Sequence, residues 1–311
     1  MEIVIDKANV LSFLSCEDKN AIFECTRLIK RGIQLCFNFN KEEICTQQDN
    51  KILMWLSTMT QGLKVPLPKW EPRIDSLNIK TNFTTTLSAK QKRDAYLLNN
   101  GDIVSKIKEK GSILIGSIGE EIELLLSLNI EDTETATNKI TSWQEYCPKL
   151  PLTDIIICDN HFFKDFKIYQ KNRDDLIKGI SQLPQQSPVN CVIIFKIDQV
   201  DNRFDLNKEV ENIKNSLKKL TKSTKSSATI IGTYSTHDRN VITNYYRIKN
   251  GSCFHLNDNG LKEDVTTEIK SHANESCERR SNQLLELYQK IIDNSNGKNI
   301  FGDKKCNFLN F

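Results

Sequence analysis

The chain has 311 residues, 38% of them hydrophobic, with 12 glycines and 7 prolines; this composition excludes a disordered or fibrous chain and gives enough length for two ordinary domains. Its 43 basic and 40 acidic residues leave a formal charge of +3, so no global field drives the protein onto nucleic acid or anionic lipid, and any anion site must be local. The ten cysteines (16, 25, 36, 45, 147, 158, 191, 253, 277 and 306) form no CxxC pair of the kind that closes a zinc site.

Taken in chain order, the first half alternates strands and helices. Ile3-Val4-Ile5 predicts a short buried strand ending at Asp6, and Cys16 to Lys30 carries apolar residues at helical spacing. Ile33 to Phe39 alternates as a second strand, and Lys41 to Gln47 begins a helix with Glu42 and Glu43 in its first turn, where carboxylates suit the dipole. Gln61 to Pro72 holds three prolines and predicts a loop. A helix over Ser88 to Leu98, a strand over Ser112 to Ile115 and a helix over Gly119 to Leu128 complete a small parallel α/β domain spanning 1–130. Residues 131–152, polar and broken by Pro148 and Pro151, are expected to be a linker.

The second half repeats the pattern as a domain over 153–260. Strands are expected at Asp154 to Cys158, Val189 to Ile197 and Thr229 to Tyr234, with helices at Lys171 to Leu183 and Leu206 to Leu220 between them. Val241 to Ile248 and Cys253 to Leu256, joined by Lys249-Asn250-Gly251-Ser252, read as a hairpin. In the tail, 261–311, Thr266 to Asp293 reads as one long amphipathic helix. Met1 is followed by Glu2 and Asp6 rather than by a basic segment and an apolar run, and no run approaches the ~18 apolar residues of a membrane span, so the expected location is cytoplasmic, with no membrane partner.

One motif carries chemistry by its spacing. His237 is followed by Arg239, then after four residues by Asn244, and after six more by Gly251-Ser252. This segment resembles the His-x-Lys-x4-Asp-x6-Gly-Ser motif of phospholipase-D-like enzymes, with Arg in place of Lys and Asn in place of Asp. The resemblance covers roughly residues 150–257 and is nearest to the non-catalytic phospholipase-D-like domain found C-terminal to microtubule-interacting-and-trafficking modules and in bacterial defence proteins. In the enzymes the His is the nucleophile and the Lys and Ser stabilise phosphate charge. What it implies here is a ligand-binding site of His237, Arg239, Asn244 and Ser252, because Arg still presents a cation and a fork of donors to phosphate. His161, with Asp159, follows the first strand of this half; Lys196 and Asp198 close the second. In a parallel sheet those strand ends share the edge where ligands bind, which adds His161 to the set.

In the first half, acidic residues recur near strand ends: Asp6, Glu42 or its neighbour Glu43, Asp94 within the Ser88 helix, and Glu120 or its neighbour Glu121. Their order resembles PIN-like nucleases, in which such carboxylates hold Mg2+ or Mn2+ for attack of water on a phosphodiester. The resemblances together imply a two-domain α/β metal-dependent nuclease of bacterial defence or toxin type, acting on RNA or DNA, with a partner protein encoded in the same operon. Two alternatives stand beside it: a non-enzymatic sensor or adaptor that binds a phosphate-bearing ligand or a partner protein, and a homodimeric phospholipase-D-type nuclease. The competing reading of the acids is that they are solvated helix starts.

Overall fold

The computed structural model describes residues 1–30, 33–60, 67–72, 94–109, 114–150, 152–180, 188–234, 239–251, 254, 256 and 265–311. The protein is mixed α/β and divides into an N-terminal unit, Met1–Asn129 with Ala273–Glu275, and a C-terminal unit, Ile130–His272 with Ser276–Phe311. Each has its own sheet.

The N-terminal unit contains β1 (Glu2–Ile5), α1 (Lys7–Ser15), α2 (Lys19–Lys30), β2 (Gln34–Phe37), α3 (Asn50–Thr60), β3 (Lys69–Trp70), β4 (Ala95–Leu97), α4 (Gly101–Glu109), β5 (Ile115–Gly116) and α5 (Glu121–Ser127). The strands pair in parallel in the order β3-β2-β1-β4-β5. β1 and β2 are short apolar runs buried over their last three residues, as strands covered on both faces must be. α2 buries Cys25, Leu28 and Ile29, one face at helical spacing. On one side of the sheet, Ile103 and Ile107 of α4 pack on Val4, Cys36 and Tyr96.

The residues after Asp6 enter α1 directly. Two expectations for this unit are corrected. Lys41 to Gln47 forms only a 3-10 turn at Lys41–Glu43, closed by a capping box between Asn40 and Glu43, and the helix comes later, as α3. Within the helix expected at Ser88 to Leu98, Ala95–Leu97 is a strand; its three residues are buried and bond to β1 and β5, so tertiary pairing overrides helical spacing. Residues 88–93 lie outside the described residues, as do 112 and 113 of the strand expected before Ile115.

The C-terminal unit contains β6 (Thr133–Ala136), α6 (Trp143–Tyr146), β7 (Asp154–Cys158), α7 (Phe166–Ile180), β8 (Asn190–Lys196), α8 (Leu206–Thr221), β9 (Ser227–Thr233), β10 (Asn240–Thr243), β11 (Tyr246–Asn250), β12 (Thr266–Ser271), α9 (Glu275–Ser295) and β13 (Ile300–Gly302). Their order is β13-β9-β8-β7-β10-β11-β12-β6, with β7, β8 and β9 parallel and the remaining pairings antiparallel. The five residues of β7 and the seven of β9 are all buried, which explains the unbroken apolar run in DIIIC of β7. Leu284, Leu285, Tyr288, Ile291 and Ile292 of α9 close one core against Ile156, Val192, Ile194, Ile231 and Ile242.

The expected linker 131–152 is part of this unit. It supplies β6, paired with β12, and α6, whose Trp143 is fully buried. Gly179 of α7 makes room for it: a Cβ there would fall 2.4 Å from the Trp143 Cβ. The hairpin is also redrawn. Val241 to Ile248 is broken by a turn, because the Thr243 hydroxyl accepts from the backbone N–H of Tyr245 (3.2 Å) and Tyr246 (3.1 Å); β10 and β11 are therefore the two arms. The segment Thr266–Ser271 alternates in burial as a strand, so the terminal helix starts only at Glu275. Among the described residues no helix is long and apolar enough to cross a membrane.

Candidate functional site

In the N-terminal sheet the chain moves outward from β1 through β2 to β3, then returns to the other flank of β1 as β4. The carboxyl end of β1 is therefore the point where strand order reverses, the usual ligand crevice of a parallel sheet. Asp6 sits there. Its Oδ1 accepts from the Asn38 side-chain amide at 2.7 Å, and its Oδ2 accepts from the Asn99 backbone N–H at 2.7 Å, so the carboxylate ties together the segments that follow β2 and β4. Glu120 Oε2 accepts from the backbone N–H (2.7 Å) and hydroxyl (3.0 Å) of Ser117, closing the turn between β5 and α5. Glu42 is exposed on the 3-10 turn.

Asp94 lies at the other end of the sheet. It precedes β4 and accepts from the Glu2 backbone N–H at 2.7 Å, next to the register pair Ile3 and Ala95. Four residues of parallel strand, about 13 Å at ~3.3 Å each, separate that level from Asp6. The expected set of Asp6, Glu42, Asp94 and Glu120 does not fit a shared Mg2+ or Mn2+, and among the described residues no group of three or more His, Cys, Asp or Glu side chains is placed to hold a metal ion. Asp94 was assigned to this site on the premise of a helix; the strand moves it to the amino edge.

The C-terminal unit concentrates its chemistry at the carboxyl edge of β7 and β8. Asp159 follows β7 directly and is fully buried. Its Oδ1 accepts from the His161 backbone N–H at 2.9 Å, fixing the Asp159-Asn160-His161 turn, and its Oδ2 accepts from the Phe254 backbone N–H at 3.1 Å. The register pair Asn240 and Cys158 brings Arg239 beside Asp159, with Nε 4.0 Å from Oδ1. Arg239 is anchored on its other side, where Nη1 donates to the Gly251 carbonyl at 3.3 Å. Gly251 thus returns to this edge, while His237 and Ser252 lie outside the described residues.

Two buried polar atoms here, Arg239 Nε and Asn160 Oδ1, have no hydrogen-bond partner among the described residues, and His161 Nδ1 and Gln199 Oε1 are buried beside them, the Gln199 amide acting on the imidazole without a well-formed hydrogen bond. Unpaired buried polar groups are costly, so a cluster of them marks either strain or a place for a ligand. Burial, and then the charge of Arg239, hold the His161 imidazole below its ordinary pKa, with Asp159 and the Gln199 amide opposing. The ring is therefore largely neutral near pH 7. Lys196 at the end of β8 is balanced by Asp198, 3.4 Å away.

Asn244 does not belong to this cluster. It is fully buried at the amino end of β7, where its Oδ1 accepts from the backbone N–H of Thr153 (2.9 Å) and Asp154 (3.1 Å), and its Nδ2 donates to the Thr153 hydroxyl. β10 runs away from Arg239, so the four-residue spacing that suits the motif carries Asn244 to the opposite end. It pins the β10–β11 turn. Sequence reasoning placed Asp159 at this strand end without a role and passed over Asn160 and Gln199. The available signal was the sequence Asp-Asn-His closing the five-residue run DIIIC, an Asx-turn signature at a strand end.

The site thus defines the protein as a mixed α/β chain with a cationic, carboxylate-organised strand edge in its second unit. No protein-family model matches the chain, and no curated protein matches it. Among solved structures it is similar to TrmBL2, an archaeal chromatin protein described as showing a novel mode of DNA binding, with a TM-score of 0.29 and 13% sequence identity. That match covers 55% of this chain and 59% of the other.

Proposed function

We propose that the protein is a sensor or adaptor whose C-terminal unit binds a phosphate-bearing ligand at the edge formed by Arg239, His161 and Gly251. The observation that carries this reading is the buried, unpartnered Arg239 Nε beside the His161 imidazole at the carboxyl end of parallel strands. A guanidinium with a free donor is a strong recognition element for phosphate oxygens. The resemblance of the Arg239 to Gly251 spacing to phospholipase-D-like domains of non-catalytic type supports the same reading. Calorimetric titration of the full chain with inorganic phosphate tests it: binding is expected, and Arg239→Gln is expected to weaken it by a factor of roughly 10 to 100, the worth of a charge-assisted hydrogen bond. Identical binding by the variant, or none by the natural chain, sinks the reading.

A second reading is a metal-dependent nuclease of defence or toxin type, seated in a PIN-like N-terminal unit. What favours it is Asp6 at the reversal point of a fully parallel sheet. EDTA-sensitive cleavage of RNA or DNA that disappears with Asp6→Ala would bring it forward; a homodimeric phospholipase-D-type nuclease would instead cleave in EDTA and stop with His237→Ala.

A further inference from the structure

We propose that Asp159 is the specificity-determining residue of the Arg239 edge: it supplies the buried counter-charge for the guanidinium without occupying its Nε donor, so that the site favours singly charged over doubly charged anions. This rests on the phosphate-binding reading above. The geometry is specific. Both Asp159 oxygens are committed to backbone N–H groups, of His161 and Phe254, and this fixes the carboxylate in place. Arg239 Nε stands at 4.0 Å, close enough for strong attraction in a buried setting and too far for a hydrogen bond. Arg239 therefore keeps a partner charge when the site is empty, which buried ions require, and keeps a donor for a ligand.

The local charge follows. Arg239 contributes one positive charge and Asp159 one negative. Lys196 is offset by Asp198, and His161 is largely neutral near pH 7. Lys164, exposed, acts on His161 only as a lesser influence and is screened by salt. Among the described residues, an anion arriving at this edge meets one free cationic donor in the field of a fixed carboxylate, and each added negative charge on the anion is repelled by Asp159 at short range.

The test compares dimethyl phosphate, a monoanion, with sulfate, a dianion, by calorimetric titration of the full chain. The natural protein is expected to bind dimethyl phosphate at least as tightly as sulfate. Asp159→Asn is expected to shift the affinity ratio about tenfold toward sulfate, on the Coulombic worth of one charge near the site. Because that variant gives up one backbone hydrogen bond, Gln199→Glu provides a second arm: it adds a carboxylate beside His161 and is expected to move the ratio away from sulfate. If Asp159→Asn loses its melting transition, the Gln199→Glu ratio decides. An unchanged ratio in the folded variants overturns the role of Asp159 while leaving the phosphate site standing; failure of the natural protein to bind either anion removes both.

Discussion

The two units each end a central parallel strand with an aspartate at the carboxyl edge, and the two aspartates are used in different ways. Asp6 accepts from the side chain of Asn38 and the backbone of Asn99, neutral donors that bring no charge. Asp159 accepts from two backbone N–H groups and stands off from a guanidinium whose Nε has no partner among the described residues. A parallel sheet offers the same crevice in both cases. What distinguishes a structural staple from a binding edge is whether a charged donor is left over once the backbone has been satisfied.

The comparison can be broken from beneath. In the C-terminal unit the Trp143 indole N–H donates to the Phe254 carbonyl at 3.0 Å, and the two rings pack 5.6 Å apart; Phe254 in turn donates to Asp159. Trp143→Ala is expected to destabilise this unit by about 3–5 kcal/mol in a denaturant titration, the cost of emptying a buried aromatic site. It should also weaken phosphate binding, although Trp143 touches no ligand. Full phosphate affinity in the folded variant would show that the Phe254 tether is irrelevant to the edge. Arg239→Gln probes the other side of the contrast, since it removes the leftover donor; phosphate binding is expected to weaken by the same factor of roughly 10 to 100, and the melting temperature to fall, because fully buried Asp159 loses its counter-charge.

A smaller effect is expected at the first edge. Asp6→Ala leaves the Asn38 amide and the Asn99 N–H without their acceptor, a loss of about 1–3 kcal/mol in the stability of the N-terminal unit. Phosphate binding should be indifferent to it. A variant of unchanged stability that has lost a metal-dependent cleavage would reverse the contrast and make Asp6 the functional aspartate.

Much of this architecture is legible in the residues, and the parts that are not share a cause. Buried central strands announce themselves as unbroken apolar runs, as at DIIIC in β7, because both faces are covered. β4 does not: Ala95-Tyr96-Leu97 has three residues and lies in a stretch with helical spacing, and only pairing with β1 and β5 makes it a strand. That single misreading carried Asp94 to the wrong edge. Asn244 fails for a related reason. The motif spacing is a distance along the chain, and the antiparallel run of β10 converts it into a separation across the sheet. Asp159 was legible as a turn former, but its role depends on the approach of Arg239 from an antiparallel strand, a contact between positions 80 residues apart that sequence spacing does not encode.

The smallest expected effect separates the two edges by pH. His161 titrates below its ordinary value in the folded protein, chiefly through burial and then through the charge of Arg239. The unfolded chain therefore binds the proton more readily than the folded one, so this group's contribution to stability is complete above about pH 6.5 and declines as the pH falls toward the lowered folded-state value. Anion affinity should run the opposite way: as the pH falls to the lowered folded-state value His161 gains a positive charge beside Arg239, and binding of dimethyl phosphate, which does not titrate there, should tighten. His161→Gln is expected to flatten both slopes, measured by chemical denaturation and by calorimetric titration between pH 7.5 and 5. Both slopes reflect the same proton. A variant that flattens only the stability slope would place His161 in the fold alone and leave Arg239 as the sole cationic contact, whereas loss of both ties the imidazole to the edge at which Asp159 sets the field.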